Sequence, residues 1–341
     1  MGVYHPERIV TTRELIDSME HKPQFDLEAL TGIKTRRWRS ENEDSYTMAI
    51  AAAHECLAHS QYRASDIDVL IYSSITRSKD GLNHWFEPSF SKFLKDHLGF
   101  RKSVMHFDIT NACAGMMTGV FILNNMIRSG VVKNGMVING ECITPTSETA
   151  MLEIKEPIDS QFASLTVGDS GAAVVIDRND DTENGIEYIE FITLAEYSDL
   201  CFGLPSIDLP GIAMYTDAIG IHREVIKRLP RFVAFCKEKY HMRGDDYDYI
   251  IPHQTSGRAI KTAFELCSRH FDDKIPEILI SLDKYGNTAS TSHFVVLDDY
   301  LGSQKIKKDS RIMFFVLASG IVMGLMSASI KKLEVQYGYG H

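Results

Sequence analysis

The sequence has no C-x-x-C pair, no surplus of positive charge and no opening stretch that reads as a signal peptide. Its six cysteines, Cys56, Cys113, Cys142, Cys201, Cys236 and Cys267, are scattered. Without a pairing pattern or an export signal, they are expected to be reduced thiols in a cytoplasmic protein. Lysine and arginine number 36 against 46 aspartate and glutamate, a net charge of −10. That balance argues against nucleic acid or an anionic membrane as the main partner. A hydrophobic share of 44% and a charged share of 24% are ordinary for a globular chain and exclude disorder and fibres. At 341 residues, two domains or a fused pair is the expectation, and the core needs no staple.

Three segments imitate something else. Ile312 to Ile330 is uncharged and flanked by Arg311 and Lys331, close to the length of a membrane-spanning helix. Ser319-Gly320 and Gly324 interrupt it, so two buried strands joined by a turn are expected, and no membrane span. His54-Glu55 and His59 approach a zinc-protease helix. That motif needs its histidines at i and i+4, on one face; here they stand at i and i+5, and no metal site is expected. Gly168-Asp169-Ser170-Gly171 matches the nucleophile loop of trypsin-like proteases. Those are all-β secreted proteins, whereas this chain alternates helices and strands.

Helical spacing of Met48, Ala51, Ala52 and Cys56 predicts a helix from Asp44 to Leu57. Strands are predicted at 68–73, 104–109, 135–139 and 172–177, with a helix from Gly115 to Arg128. The second half replays this order. It has a helix at 225–240, a strand at 247–251, a helix at 256–271, a strand at 278–282, a helix at 289–301, and strands at 311–317 and 325–330. The alternation argues for an α/β architecture with largely buried sheets. The repeated order suggests a duplication, with halves 1–178 and 179–341 meeting at the polar stretch Asn179 to Asn184. The Pro- and Gly-rich segment from Tyr197 to Thr216 reads as irregular, either packed connection or lid.

Three motifs follow predicted strands. Asp108-Ile-Thr-Asn-Ala-Cys113-Ala-Gly115 puts a cysteine in a strand-to-helix turn. The helix N-terminus there favours a thiolate, although a lone apolar cysteine is usually an inert core residue. Pro252-His253-Gln254 and Tyr285-Gly286-Asn287-Thr288 taken singly read as a satisfied core histidine and a structural turn. Together, in this order, they resemble the thiolase superfamily, and within it the β-ketoacyl carrier-protein synthase III group. The resemblance covers nearly the whole chain. It includes Tyr4-His-Pro-Glu7, Thr31-Gly-Ile33 with Arg37, Gly168-Asp169 with Gly171-Ala172, and Ser319-Gly320…Gly324. It implies a thiolase-like fold, a duplicated five-layered α/β/α/β/α arrangement, in a homodimer. Cys113 would hold an acyl group from a thioester. His253 and Asn287 would hydrogen-bond the carbonyl of a second thioester. Backbone N–H groups of Cys113, Ser319 and Gly320 would form the oxyanion hole. No cofactor is implied; the substrates are acyl-carrier-protein or CoA thioesters.

Departures refine that reading. Glu87, in Glu87-Pro88-Ser89, stands where priming enzymes of the group carry a phenylalanine that reaches into the partner's acyl pocket. A carboxylate taken out of water there becomes the stronger base that a weak carbon acid requires. The triplet is similar to the subgroup that joins two acyl chains, which includes olefin-pathway thiolases, pyrone synthases and ketosynthases of dialkylresorcinol type. The expected reaction is a Claisen condensation of two acyl or β-ketoacyl thioesters, with Glu87 acting in trans, in lipid or natural-product biosynthesis. Asp26 and Leu30 replace the Trp and Arg that clamp a CoA adenine, Gln161 replaces another nucleotide-contacting Arg, and P-H-Q-A-N reads P-H-Q-T-S with Ser256. Donors on an acyl carrier protein are therefore expected, docked near Lys227 and Arg258 at the mouth of the pantetheine tunnel. The strand that normally precedes the segment matching Gly2 to Pro6 is missing. Alternatives are a decarboxylating synthase III using malonyl-carrier protein, a cysteine-dependent O- or N-acyltransferase, and an inactive partner subunit.

Overall fold

The computed structural model describes residues 1–179, 184–206, 211–268, 275–307 and 309–335. Its strands are β1 (Gly2–Tyr4), β2 (Ile9–Thr11), β3 (Thr35–Arg37), β4 (Val69–Ser73), β5 (Met105–Ile109), β6 (Asn134–Glu141) and β7 (Ser170–Asp177) in the first half of the chain. Then follow β8 (Gly185–Thr193), β9 (Cys201–Pro205), β10 (Ile212–Thr216), β11 (Tyr249–Pro252), β12 (Glu277–Ile278), β13 (Arg311–Ala318) and β14 (Val322–Ser329). Two five-stranded sheets run β1-β7-β6-β4-β5 and β8-β14-β13-β11-β12. In both, the first two neighbour pairs in that order are antiparallel and the last two parallel. The two halves thus share one strand plan. β5 and β12 are counterparts, as are β4 and β11.

Side-chain alternation along the buried strands sets the layers. Leu70 and Tyr72 of β4 and Met136 and Ile138 of β6 face the helices Ser45–Ala58 and Phe90–His97. Val69, Ile71 and Val137, between them, face the opposite way, onto the helices Gly115–Arg128 and Ser292–Gly302. The second sheet repeats the scheme. Ile251, Ile312, Phe314 and Val316 share the core of those two central helices. Ile250, Met313 and Phe315 face the outer helices Ala218–Tyr240 and Gly257–Cys267. Helix, sheet, helix pair, sheet, helix is the expected five-layered α/β/α/β/α order.

Local chemistry accounts for most boundaries. Asp44 caps the Ser45–Ala58 helix, its carboxylate accepting from the Thr47 N–H at 2.9 Å. The uncharged 312–330 run is β13 and β14, paired in register around a turn where Gly320 has φ +123°, a value suited to glycine. Among the described residues no helix is long and apolar enough to cross a membrane. Asp169 of the Gly-Asp-Ser-Gly segment is buried. It accepts from the N–H groups of Ile143 and Thr144 at 2.7 and 2.9 Å, and of Arg39 at 2.8 Å. Burial pushes its carboxyl up to about 6 against the pull of those bonds. It ties loops together.

Some expectations change. Of the predicted 278–282 strand only Ile278 pairs in the sheet, together with Glu277 before it, because Leu282–Tyr285 turns into a helix. The irregular 197–216 segment contains the antiparallel hairpin β9–β10. Gly2–Tyr4 itself forms a short edge strand against β7. The helix predicted to Phe271 ends at Cys267; Phe271 lies outside the described residues, as do 180–183 of the stretch between the halves and Leu209 and Pro210.

Candidate active site

In the first sheet β4, β5 and β6 run parallel, so their C-terminal ends share one edge. Cys113 follows β5 at that edge and directly precedes the Gly115–Arg128 helix. The turn is tight. Ala112 has φ +44°, and the Ala114 and Gly115 N–H groups donate to the Asn111 and Ala112 carbonyls at 3.0 Å each. A left-handed alanine costs about 1 kcal/mol or more, and such residues persist where the surroundings hold them. No side chain caps this helix, which leaves N–H groups at its start for a ligand oxygen. The helix does not leave Cys113 as a ready thiolate, however. Burial pushes its thiol up, and the nearby Glu141 and Cys201 add to the rise. Desolvation outweighs the helix terminus.

Asn287 follows β12, the counterpart of β5, so the cysteine and the carboxamide occupy equivalent places in the two halves. Its backbone is fixed: its N–H donates to the Thr166 carbonyl at 2.9 Å and its carbonyl accepts from the Gly168 N–H at 3.0 Å. The Ala289 N–H donates to Asn287 Oδ1 at 3.0 Å. A backbone N–H can only donate, so that contact assigns the oxygen and leaves Nδ2 as donor. Gly286, at φ +67°, lets the chain pass Thr166: a Cβ there would lie 2.8 Å from its carbonyl oxygen.

His253 follows β11 and is buried. Its N–H donates to the Phe315 carbonyl at 2.9 Å, while its Nδ1 has no hydrogen-bond partner. Burial, with His293 beside it, brings its imidazole down to about 3. It is neutral at physiological pH. His293 stands 6.1 Å away between ring centroids, and its Nε2 donates to the same Phe315 carbonyl at 3.0 Å. Gln254 Oε1 accepts from the Ser281 N–H at 3.2 Å. A side chain on Gly115 would meet Ser290 Cβ at 3.7 Å. The segment 281–293 carrying Asn287 therefore touches both the His253 loop and the start of the Cys113 helix.

The remaining expected residues are more dispersed. Ser319 and Gly320 are half-buried in the turn after β13, at the same sheet edge as His253, since β11 and β13 are parallel. Glu87 is exposed, next to Phe86 at 84% exposure. Lys227 and Arg258 lie on the two outer helices of the second sheet. Arg258 is exposed. Lys227 pairs with Glu224 at 2.9 Å, and Glu224 also holds Arg223 and Arg228. Hydrogen bonds from these cations, Lys227's first, hold the Glu224 carboxyl at about 2. Asp26 and Ser256 cap helices, accepting from Ala29 and Ala259 N–H groups, and Gln161 donates to Glu153. Leu30 is 44% exposed.

The motifs did not point to Glu141, Ser290 or His293, and gave no role to Asp108. A charge in the apolar run Met136-Val-Ile-Asn-Gly-Glu141 was the available signal for the first. Asp108 caps the Phe90–His97 helix from β5, accepting from the Phe90 and Ser91 N–H groups at 2.6 and 2.9 Å. The loop bearing Glu87 is thereby anchored to the strand that leads to Cys113.

His5 offers a test of how the Asn287 turn is supported. Its ring stacks on Tyr285 at 4.5 Å, Arg37 lies over the Tyr285 ring, and neither His5 nitrogen has a partner. Burial, then Arg37, lowers its imidazole to about 4. A histidine lowered from 6.5 to about 4 binds fewer protons folded than unfolded, so its cost is absent above pH 6.5 and complete near pH 4. His5→Phe keeps the stack and removes the titration. Denaturant melts should show it gaining about 2 kcal/mol more at pH 4.5 than at pH 7.5; parallel pH profiles would contradict the assignment.

A cysteine in a strand-to-helix turn and a neutral buried histidine, set on duplicated sheets, fit an acyltransferase with a thiolase-like fold. Residues 107–194 match the model of 3-oxoacyl-[acyl-carrier-protein] synthase III, and residues 238–330 match the model of its C-terminal part. The chain belongs to that family, within the thiolase superfamily. It is 26% identical to β-ketoacyl-[acyl-carrier-protein] synthase III of Deinococcus deserti over 94% of this chain and 87% of that one. It is 26% identical to β-ketoacyl-[acyl-carrier-protein] synthase III 1 of Vibrio parahaemolyticus, over 97% of each. Among solved structures, 3-oxoacyl-[acyl-carrier-protein] synthase III from Aquifex aeolicus superposes with TM-score 0.79 at 23% identity, covering 96% and 97% of the two chains. Xanthomonas campestris OleA does so with TM-score 0.83 at 21% identity, covering 96% of each.

Proposed function

We propose that the protein condenses two acyl or β-ketoacyl thioesters without decarboxylation, in a homodimer whose subunits exchange Glu87. The observation that carries this reading is the position of Glu87. It is exposed on its own subunit, and its loop is fastened through Asp108 to β5, the edge strand of the first sheet. An unpaired edge seeks a partner strand. A second copy added there brings Glu87 toward the neighbouring Cys113. The two halves of the chain divide between 178 and 179 in this reading, and each supplies part of the site.

Cys113 attacks the carbonyl of the first thioester. With its thiol raised by burial and His253 only weakly basic, no cysteine–histidine ion pair stands ready. The Sγ–H proton leaves as the C–S bond forms and ends on the departing carrier thiol. N–H groups of Cys113, Ser319 and Gly320 hold the oxyanion. The second thioester places its carbonyl against His253 and Asn287 Nδ2. The partner subunit's Glu87 takes the α-proton, the enolate carbon attacks the acyl carbonyl, and Cys113 leaves as thiolate. The resulting β-ketoacyl thioester needs no cofactor. Donors arrive on an acyl carrier protein: Asp26, Leu30 and Gln161 offer no aromatic or cationic clamp for an adenine, and Arg258 is exposed for an acidic partner.

A second reading, the decarboxylating synthase, is favoured by the β-ketoacyl-[acyl-carrier-protein] synthase III name of the relatives at 24–26% identity. Product mass and gas release separate the two. Paired acyl thioesters should give a β-keto product with no CO2, and malonyl-carrier protein should add little. Products formed only with malonyl donors, with one CO2 each, would establish the second reading instead.

A further inference from the structure

Glu141 ends β6 and is wholly buried, yet it takes part in no ion pair among the described residues. Its Oε1 accepts from Ser74 Oγ at 2.9 Å, from the Ile75 and Thr76 N–H groups at 3.1 and 3.2 Å, and from Thr76 Oγ1 at 3.2 Å. Oε2 accepts from Ser290 Oγ at 2.6 Å. Ser290 Oγ in turn accepts from Asn139 Nδ2 at 2.6 Å, which also donates to the Ser73 carbonyl. An isolated buried carboxylate is costly unless hydrogen bonds replace its water. Here neutral donors supply them, four from the loop after β4 and one from the other half of the chain.

That one bond sits at a decisive place. Ser290 is three residues past Asn287, and its Cβ lies 3.7 Å from where a Gly115 side chain would begin, two residues past Cys113. The turn between Asn287 and Ser290 is held in a costly shape, with Ala289 at φ +48°. The Ala289 bond to Asn287 Oδ1 and the Thr291 and Ser292 hydroxyls on the Thr288 and Ala289 carbonyls hold it from within, and Ser290 ties it to the buried Glu141 of the first sheet. We propose that Glu141 and Ser290 are a positioning pair that sets the Asn287 carboxamide at its working distance from the Cys113 sulfur. This rests on the roles proposed above for Cys113 and Asn287. Glu141 has a second consequence. Its charge adds to the rise in the Cys113 thiol, alongside burial and Cys201, so removing the charge eases thiolate formation while loosening the turn.

Ser290→Ala and Glu141→Gln separate these effects. In Ser290→Ala, condensation should fall about tenfold while single-turnover acylation of Cys113 stays within about twofold of wild type. The pH midpoint of Cys113 alkylation by iodoacetamide, read by mass, should not move. In Glu141→Gln condensation should fall similarly and the alkylation midpoint should shift to lower pH, Cys201 being common to both variants. Condensation at the wild-type rate in Ser290→Ala overturns the proposal, as does equal loss of acylation and condensation. If Glu141→Gln does not fold, the Ser290→Ala result decides. If wild-type Cys113 accepts no acyl group, the functional reading fails on its own. A crystal structure of Ser290→Ala then decides for the pair, an Asn287 carboxamide at its wild-type distance from the Cys113 sulfur overturning it.

Discussion

Glu87→Gln will lower condensation of non-malonyl thioesters by about 10²–10⁴-fold, the usual worth of a positioned general base, while Cys113 still takes up its acyl group. Glutamine keeps the shape and one acceptor oxygen but cannot accept the α-proton. The loop itself should survive the change, because its anchor is Asp108 at the Phe90 and Ser91 N–H groups rather than Glu87. Mixed dimers make the test specific. Glu87→Gln subunits and Cys113→Ala subunits are each inactive alone. If Glu87 acts across subunits, a mixed dimer holds one complete site, with the cysteine from one subunit and the glutamate from the other. Activity should therefore reappear on co-expression. Full activity in Glu87→Gln would remove the base assignment, and no recovery on mixing would place the base in the same subunit.

His253→Ala and Asn287→Ala will each stall the reaction after acylation. Loss of one positioned donor to a developing oxyanion costs about 3–4 kcal/mol, or 10²–10³ in rate. The loss should fall on condensation, so a long-lived acyl-Cys113 species should accumulate. The pH behaviour supplies a second check. His253 is brought down to about 3 by burial, so it stays neutral as the pH falls through 6.5, and condensation should show no acid limb from it there. An acid limb near pH 6.5 that disappears in His253→Ala would show a charged histidine at work and contradict the donor role.

Three motifs pointed to this candidate site because Cys113 and His253 follow strand ends and Asn287 a tight glycine turn, where side-chain chemistry is visible as a break in an apolar run. Cys113, His253 and Asn287 could be selected together only through their family resemblance, since each alone has an ordinary structural explanation. The uncharged 312–330 segment was legible as two strands from its interior glycines, and Gly320 at φ +123° shows why a glycine stands there. Strand periodicity failed where burial is one-sided or brief. The β9–β10 hairpin is largely exposed along β9, so it leaves no apolar alternation. The 278–282 run looks like a strand because Leu279 and Leu282 are buried, yet they pack around a turn and a short helix.

Electrostatics was the least legible part. The sequence puts Cys113 at a helix start, which argues for a thiolate. Only the fold reveals that burial and Glu141 work the other way. The partners of Glu141 come from residues 74–76 and 290, separations that no local pattern encodes. The fold also shows Lys227 sharing Glu224, one helical turn before it, with Arg223 and Arg228, three cations on one carboxylate.

Intact-mass spectrometry of the protein mixed with acyl-CoA and acyl-carrier thioesters of graded length tests the covalent step on which everything else depends. One acyl group per chain is predicted, located on the peptide containing Cys113 and absent from Cys113→Ala. No mass gain with any thioester, or a gain that persists in Cys113→Ala, would contradict the account.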